Sequence, residues 1–271
     1  MHKQLEPQSL QLSLWGLCRY AVKTRRVWWF TATARTKARF ARTLFGSFWL
    51  GLSNLLSIAV LALVYGTVFR VPDFRVYVIY LGLGLVLWNS LSTAIATAPN
   101  LFEHHAQLLK NTSLHPIFYT LEEWAFQLQT LGQSLLLVAL VLGILQPSLW
   151  WHAFTAGLLP MFNFVLALYW LPVLVCMLGA RYRDLYQLVP IVLQLMFLLS
   201  PILYTSKSLG RFAWMADMNL AYLLLARVRD ALITGAPHPL QNLGLLGLNL
   251  VGLLLALRHL NKQRWMLPFL V

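Results

Sequence analysis

Residues 178–185 read Leu-Gly-Ala-Arg-Tyr-Arg-Asp-Leu, a charged block between two long apolar runs. Residues 124–180 before it contain no Asp, Glu, Lys or Arg, and neither do residues 185–206 after it. Three charges between segments of membrane length indicate a boundary with water, because a charge inside the bilayer is costly. The block therefore predicts two membrane spans that meet at one membrane surface.

The composition of the whole chain predicts an all-α integral membrane protein. Of its 271 residues, 59% are hydrophobic and 11% are charged, and that charged share is about half the usual share in soluble domains. Residues 43–69, 76–102 and 231–257 are also free of Asp, Glu, Lys and Arg. A span needs roughly 20 apolar residues, so residues 124–180 can hold two, with a break at Gln146-Pro147-Ser148. We expect a transmembrane domain over residues 46–260 with six spans.

The positive charge predicts the orientation of these spans, since Lys and Arg in short loops stay on the cytoplasmic side. With both termini cytoplasmic, fifteen Lys and Arg lie on the inner side and six on the outer side. Residues 1–45 and 261–271 are then cytoplasmic. The net charge of +13 is explained by residues beside the spans, so we expect no nucleic-acid partner.

The segment before the first span has the pattern of an amphipathic helix over residues 27–44. At 100° per residue, the basic side chains Arg35, Arg39 and Arg42 share one face, while Lys37 falls on the apolar side. This pattern predicts a helix along the membrane surface that contacts anionic lipid.

The acidic residues near two helix starts fit a structural interpretation. Thr120 with Glu123, and Asp184 with Gln187, have the spacing of a capping box. Carboxylates at a helix N-terminus oppose its dipole. We therefore expect no catalytic residue in this acidic set.

A metal site is the alternative use of the acidic and histidine side chains between the second and third spans, Glu103, His104, His105 and His115. Adjacent residues of a helix point about 100° apart, and no second cluster completes a tetrahedral ligand set. We expect no metal and no cofactor on this chain.

Residues 205–238 are too apolar for a solvated loop and too charged for a span. Such a segment is expected to lie in the outer membrane interface or to dip into the outer leaflet.

Taken together, the motifs resemble the permease (transmembrane) subunit of polysaccharide and polyol phosphate export ABC transporters of the ABC-2 type. These proteins export O-antigen, capsule or teichoic acid chains. The resemblance rests on the charged block followed by Gln187-Leu188-Val189-Pro190 and Ser200-Pro201, on residues 37–49, and on Asn219-Leu220-Ala221-Tyr222 with Arg229-Asp230-Ala231-Leu232.

The resemblance implies roles for particular residues. The coupling loop, residues 100–120, would contact the ATPase through Glu103, His104, Leu108, Leu109, Lys110 and Asn111. The interface helix would contribute Arg35, Lys37, Arg39 and Arg42. The cytoplasmic boundary would contain Arg181, Arg183 and Asp184, and its two arginines either anchor the span ends or contact the ATPase or phosphate directly. Short external gate helices before the last span would include Trp214, Tyr222, Arg229 and Asp230. Aromatic faces stack on sugars, so Tyr65, Trp88, Tyr169, Phe197 and Tyr204 are candidates for a glycan path.

The energy source is expected on another chain, because this sequence has no phosphate-binding loop. The resemblance implies two copies of this permease with two ABC ATPase subunits, which bind the ATP and Mg²⁺. The complex would move a lipid-linked or long-chain polysaccharide outward across the bacterial inner membrane. The alternatives are an exporter of a small lipid or drug with the same architecture, and a membrane-embedded transferase acting on lipid-linked sugars. A proton-driven carrier is disfavoured, because the expected spans lack ionisable residues.

Overall fold

The protein consists of helices joined by turns and short irregular segments in the residues that its computed structural model describes, which are 13–68, 70–112, 114–204, 210–211 and 213–270. The helices are α1 (Leu14–Lys23), α2 (Arg25–Arg39), α3 (Phe48–Val68), α4 (Phe74–Thr97), α5 (Leu101–His104), α6 (Ala106–Asn111), α7 (Ile117–Leu145), α8 (Ser148–Phe154), α9 (Leu158–Gly179), α10 (Leu185–Leu199), α11 (Ala213–Asp217), α12 (Leu220–Thr234), α13 (Pro239–Gln263) and α14 (Leu267–Leu270). The all-α prediction is confirmed. Parts of five predicted segments lie outside the described residues: 1–12 of the N-terminal segment, 69 of the charge-free stretch 43–69, 113 of the coupling loop, 205–209 and 212 of the gate segment, and 271 of the C-terminal tail.

Five of the described helices are long and apolar enough to cross a membrane: α3, α4 continued through α5, α7, α9 and α13. The helix after the charged block, α10, is apolar but has only 15 residues. At 1.5 Å per residue it is about 22 Å long, shorter than the roughly 30 Å of a hydrocarbon core. The chain is therefore a multi-pass membrane protein with one apolar helix of less than full span length.

The predicted break between the third and fourth spans is confirmed, since α7 ends at Leu145 and α8 begins at Ser148. Gln146 has extended backbone angles, and its side-chain amide donates to the carbonyl oxygen of Ile233 over 2.9 Å. His152 Nδ1 lies 2.9 Å from the carbonyl oxygen of Leu232. These contacts fasten the α7–α8 corner to the end of α12.

The helix starts differ from the predicted capping boxes. Helix α7 begins at Ile117, and the Thr120 hydroxyl donates to the Ile117 carbonyl inside the helix. The capping box of Thr120 and Glu123 is therefore wrong, because Pro116 already has the fixed φ that suits a first helical turn. Asp184 does precede the first residue of α10, but its side chain makes no capping hydrogen bond.

Helix α4 lies at the centre of the bundle. Its residues 81–88 are all buried, and it packs against α3, α7, α10 and α12. A Cβ at Gly82 would meet Leu142 of α7 at 3.0 Å, so the small residue permits the close approach of two membrane helices. The apolar packing of α3, α7, α10 and α12 on α4 thus sets the positions of these helices, which carry most of the polar residues described below.

Helices α9 and α13 are joined by buried amides. Asn249 Nδ2 donates to the carbonyl oxygen of Asn163, and the Trp170 indole donates to Asn249 Oδ1. Asn163 Nδ2 in turn donates to the carbonyl oxygen of Asn242. Polar side chains in a bilayer must find partners inside the protein, so these bonds specify which helix α13 packs against.

The two ends of the bundle carry different short helices. One end, called the Glu123 end, consists of α1, α2, α5, α6 and α14 around the start of α7 and the end of α13. The other, called the Arg229 end, consists of α8, α11 and α12 around the start of α4. The charged block between α9 and α10 lies at the Glu123 end, because α9 finishes beside the 3-10 turn Ala98–Asn100 that follows α4.

Candidate functional site

A cleft with a mixed aromatic and polar lining lies between α4 and α10. The rings of Trp88 and Phe197 are 5.7 Å apart at their centroids and form part of its wall. The cleft has a volume of about 340 Å³ and is also lined by Asn89, Ser92, Thr93, Ala96, Pro190, Leu193 and Gln194. Two of the five predicted path residues are therefore brought together in one cavity.

The polar side of this cleft was not predicted from the sequence. Asn89 and Thr93 are exposed on α4, and Gln194 is exposed on α10. Exposed amides and hydroxyls are unfavourable against lipid tails, so this face requires water or another protein surface. The sequence does contain a signal for this polar surface, because Asn and Ser or Thr are concentrated in residues 89–93, within a stretch that has no charges.

Hydrogen bonds extend the polar surface from α4 to two neighbouring helices. Asn89 Nδ2 donates to Asn54 Oδ1 over 2.8 Å, and Asn54 Nδ2 donates to Ser134 Oγ over 2.7 Å. A second cavity of about 100 Å³ shares Asn89 and Thr93 with the cleft and reaches Arg39. The polar surface therefore runs from the α4–α10 cleft to the helix α2.

The other three predicted path residues do not line the cleft. Tyr169 is buried between α7 and α9, where its hydroxyl lies 3.2 Å from Thr120 Oγ1 and its ring meets Trp124 edge-on. The Tyr204 hydroxyl donates to the carbonyl oxygen of Leu198. Tyr65 packs on the apolar cluster around α4. Tyr169 is part of the packed interior, and Tyr204 supports the turn after α10.

The predicted interface helix corresponds to α2, but its C-terminal limit and its packed face differ from the prediction. It ends at Arg39 and not at Leu44, because the chain turns at Arg42, which has a φ of +66°. The face that packs on α7 carries Arg35, whereas Phe30 is 72% exposed. The apolar side of α2 is thus available to lipid, and Arg35 points into the protein.

Glu123 is the centre of the contact between α2 and α7. Arg35 Nη1 lies 2.6 Å from Glu123 Oε2, and Gln127 Nε2 donates to Glu123 Oε1 over 2.8 Å. The Arg35 guanidinium also lies 4.2 Å from the ring centroid of Phe126, with Arg39 at 5.9 Å from the same ring. The side chain of Glu123 is 8% exposed, so this carboxylate depends on its partners. Lys37 and Arg42 are exposed.

The coupling loop forms two short helices, α5 and α6, whose outer surface carries five of the six predicted contact residues. Glu103, His104, Leu108, Lys110 and Asn111 are exposed. Leu109 faces inward and packs in the cluster that includes Leu267 of α14. A partner at this surface would therefore meet five of these side chains and not Leu109.

His115, at the end of the coupling loop, is buried beside α13. Its Nε2 lies 3.4 Å from Asn261 Oδ1. Burial lowers the pKa of His115 to about 4, and the nearby Arg264 charge acts in the same direction. The imidazole is therefore neutral at pH 7.

The three histidines of this segment have separate surroundings. His104 is exposed, His105 Nδ1 lies 2.9 Å from the Leu101 carbonyl oxygen, and His115 contacts α13. In the part of the chain that the structure describes, no three His, Cys, Asp or Glu side chains converge as metal ligands.

The charged block forms an exposed turn between α9 and α10. Arg181, Arg183 and Asp184 are all exposed. The Arg181 guanidinium lies 5.6 Å from the ring centroid of Tyr182. These charges are accessible to solvent at the Glu123 end.

The predicted gate segment is organised by Arg229, which is 2% exposed. Its guanidinium lies 3.7 Å from the ring centroid of Tyr80, and its Nη1 donates to the carbonyl oxygen of Pro201. Its Nε donates to Asp230 Oδ1 over 3.0 Å, and its Nη2 lies 3.4 Å from the Tyr222 hydroxyl.

The turn after α10 has further ties to the same end of the bundle. The Tyr77 hydroxyl donates to the Leu203 carbonyl oxygen, and Asn219 donates to Ser200 Oγ. Trp214 of α11 is 55% exposed. Tyr222, Arg229 and Asp230 therefore lie together in one cluster, and Trp214 lies on the surface.

Comparison with known proteins gives one family assignment. Residues 32–233 match the family described as ABC-2 type transporter. This range includes α3 to α11 and the greater part of α12, and it contains both the α4–α10 cleft and the coupling loop. No curated protein matches the chain.

Proposed function

Because the chain belongs to the ABC-2 type transporter family, we propose that it is the permease of an ATP-driven exporter of a lipid-linked or long-chain polysaccharide. Members of this family are membrane components of transporters that associate with ABC ATPase subunits. ATP and Mg²⁺ are bound by that ATPase in this proposal. The chain itself supplies the path and the surfaces that respond to hydrolysis.

The observation that carries the proposed substrate class is the lining of the α4–α10 cleft. The half-buried Phe197 offers a ring that can stack on the C–H face of a sugar, with the buried Trp88 packed against it, and Asn89 and Gln194 offer amides for hydroxyl groups. A path for a small lipid or an apolar drug would be lined mainly by apolar side chains. The mixed lining therefore favours a hydroxylated polymer of the O-antigen, capsule or teichoic acid type.

We propose a six-span topology in which α10 is the fifth span. The turn after α10 is anchored inside the protein by Arg229 and Tyr77, so the chain can reach the far surface through α10 together with this turn. Both termini are then cytoplasmic in a bacterial inner membrane, as the distribution of Lys and Arg favours. The Glu123 end is the cytoplasmic end, and α11 and α12 are the external gate helices.

A second copy of the chain completes the path. The exposed polar face of α4, with Asn89 and Thr93, is unsuited to lipid. Two such faces across a dimer axis would enclose a polar channel between the copies. Each copy would bind one ATPase subunit through α5 and α6.

The coupling of hydrolysis to transport is proposed to run through α2 and α6. Both helices lie at the Glu123 end, and Arg35 with Glu123 joins α2 to α7. Movement of the ATPase against α6 would shift the start of α7, and the ion pair would carry α2 with it. In this way ATP hydrolysis would shift the equilibrium between two arrangements of α2 and the start of α7.

The test is reconstitution of the permease with its ATPase in liposomes. Lipid-linked glycan is expected to stimulate ATP hydrolysis, and Phe197→Ala is expected to reduce this stimulation by about threefold to tenfold, the loss of one stacking contact. Phe154→Ala is the control, because Phe154 is 72% exposed on α8 and does not line the cleft.

Other outcomes would assign another function. Stimulation by a small amphipathic drug but not by glycan would favour the drug or small-lipid exporter. Transfer of a sugar or acyl group without ATP would favour a transferase. Failure to bind an ABC ATPase would contradict the role as an exporter permease.

A further inference from the structure

The C-terminal helix α14 lies directly beside the coupling loop. Leu267 of α14 and Leu109 of α6 are 0% and 6% exposed and belong to one apolar cluster. Leu17 of α1 and Leu260 of α13 belong to the same cluster. The outer surfaces of α6 and α14 are therefore held next to each other by shared packing.

The outward side chains of the C-terminal segment are apolar. Trp265 is 56% exposed, Met266 is 58% exposed and Phe269 is 90% exposed. Leu108 on the adjacent α6 is 51% exposed. Scattered apolar residues are normal on a surface, but a contiguous group of them marks a site of interaction.

Arg264 lies on the inner side of this surface. Its Nε and Nη2 atoms are buried and have no hydrogen-bond partner among the described residues. Its guanidinium lies 5.0 Å from the ring centroid of Trp265. Because the two buried atoms have no surface that a partner could reach, Arg264 contributes to the surface only through its contact with Trp265.

The position of the surface favours a protein partner over the lipid bilayer. The apolar part of α13 ends at Leu257, and residues 258–264 include Arg258, Lys262 and Arg264. The six helical residues 258–263 extend about 9 Å, so the turn that leads into α14 lies beyond the apolar part of α13, on the side where α6 projects. The surface is continuous with the coupling helices.

We propose that Trp265, Met266 and Phe269 form a second docking element for the ABC ATPase subunit, beside α6. This inference rests on the proposed function. The ATPase would offer an apolar depression for Phe269 and Trp265. The contact surface of the ATPase then includes the C-terminal segment as well as the coupling loop.

The direct test places the photoreactive residue p-benzoylphenylalanine at position 269 in the permease–ATPase complex in membranes. A cross-link to the ATPase is expected. The same substitution at Trp151, at the opposite end, is expected to give none. A cross-link from position 269 to lipid alone, or to a second permease alone, would overturn the inference.

Substitutions separate this inference from the proposed function. Phe269→Asp and Leu108→Asp are each expected to reduce the amount of co-purified ATPase by about tenfold, without a change in the melting temperature of the permease, since both side chains are exposed. If Leu108→Asp has this effect and Phe269→Asp has none, the second docking element is excluded and the exporter role stands. If neither reduces the amount of co-purified ATPase, both the second docking element and the coupling-loop contact at Leu108 are excluded, while the exporter role stands because the ATPase is still bound.

Discussion

Arg229 and Arg35 hold opposite ends of the bundle in different ways. Arg229 is 2% exposed and contacts the Tyr80 ring, two side-chain oxygens and the Pro201 carbonyl. Arg35 has 40% of its side-chain surface exposed and makes one ion pair, with Glu123. The first arrangement fixes a turn inside the protein, whereas the second joins a surface helix to a span through a pair that solvent can reach.

This difference indicates which end can move at low cost. Displacing the turn after α10 would break several contacts of a buried cation at once. Displacing α2 would expose one carboxylate and one guanidinium that water can solvate, so the cost is smaller. The Glu123 end is therefore the end suited to respond to a partner, and the Arg229 end is suited to hold its shape.

The largest effect is expected from Arg229→Met. It leaves the Pro201 carbonyl and the Tyr80 ring without their cation, and we expect a loss of about 3 kcal/mol in the free energy of unfolding. Thermal unfolding in detergent measures it. Arg229→Lys is expected to recover only part, because Lys lacks the planar fork. Arg227→Leu, on the same helix, is the control, and an equal loss there would contradict the special role of Arg229.

A smaller effect is expected from Glu123→Gln, which removes the charge that Arg35 binds. We expect a loss of about 1–2 kcal/mol in stability, together with a lower ratio of glycan transported to ATP hydrolysed. The neighbouring Glu122→Gln is the control, since Glu122 is not the partner in the Arg35 ion pair. An unchanged transport ratio in Glu123→Gln would remove α2 from the coupling route.

The pair itself is measured by a double-mutant cycle with Arg35→Gln and Glu123→Gln. Because Arg35 is partly exposed, the coupling energy is expected to be about 0.5–1.5 kcal/mol. Strictly additive effects of the two substitutions would show that α2 is held by its apolar contacts alone. A value as large as the whole Arg229 effect would remove the contrast between the two ends.

The effect that is smallest at neutral pH is that of His115, and it grows as the pH falls. The pKa of folded His115 is lowered from 6.5 to about 4, so between these values the unfolded chain binds more protons than the folded one. Stability therefore falls as pH decreases from 6.5 to 4, and this contribution is fully present above 6.5. His115→Gln is expected to flatten the melting temperature in this range relative to wild type. His104→Gln, an exposed control, is expected to leave it unchanged.

The sequence predicted the long apolar helices of the fold better than it predicted the contacts between helices. Charge-free stretches and the Pro147 break gave the long helices correctly, because apolar length and proline act locally. The partner of Arg35 lies 88 positions away, and a helical pattern does not contain that information. For the same reason, α2 was expected to turn its arginines to solvent and lipid headgroups, whereas Arg35 is packed on α7.

The candidate site was predicted in part. Trp88 and Phe197 were selected as aromatic residues of the spans, but so was Tyr169, which lies in the interior. Composition cannot distinguish them, since the inward face of a helix depends on its neighbours. The Asn89 and Thr93 face could have been found by asking which spans contain amides and hydroxyls without charges.

The amide contacts between α9 and α13 also constrain the order in which the protein is made. Helix α13 is the last of the long helices to leave the ribosome, and its partner Asn163 lies in α9, well before it in the chain. Until α13 arrives, Asn163 in the inserted α9 lacks its Asn249 and Asn242 partners. The bundle is thus completed only once α13 has been inserted, and a chain truncated before Pro239 leaves the Asn163 amide without these partners.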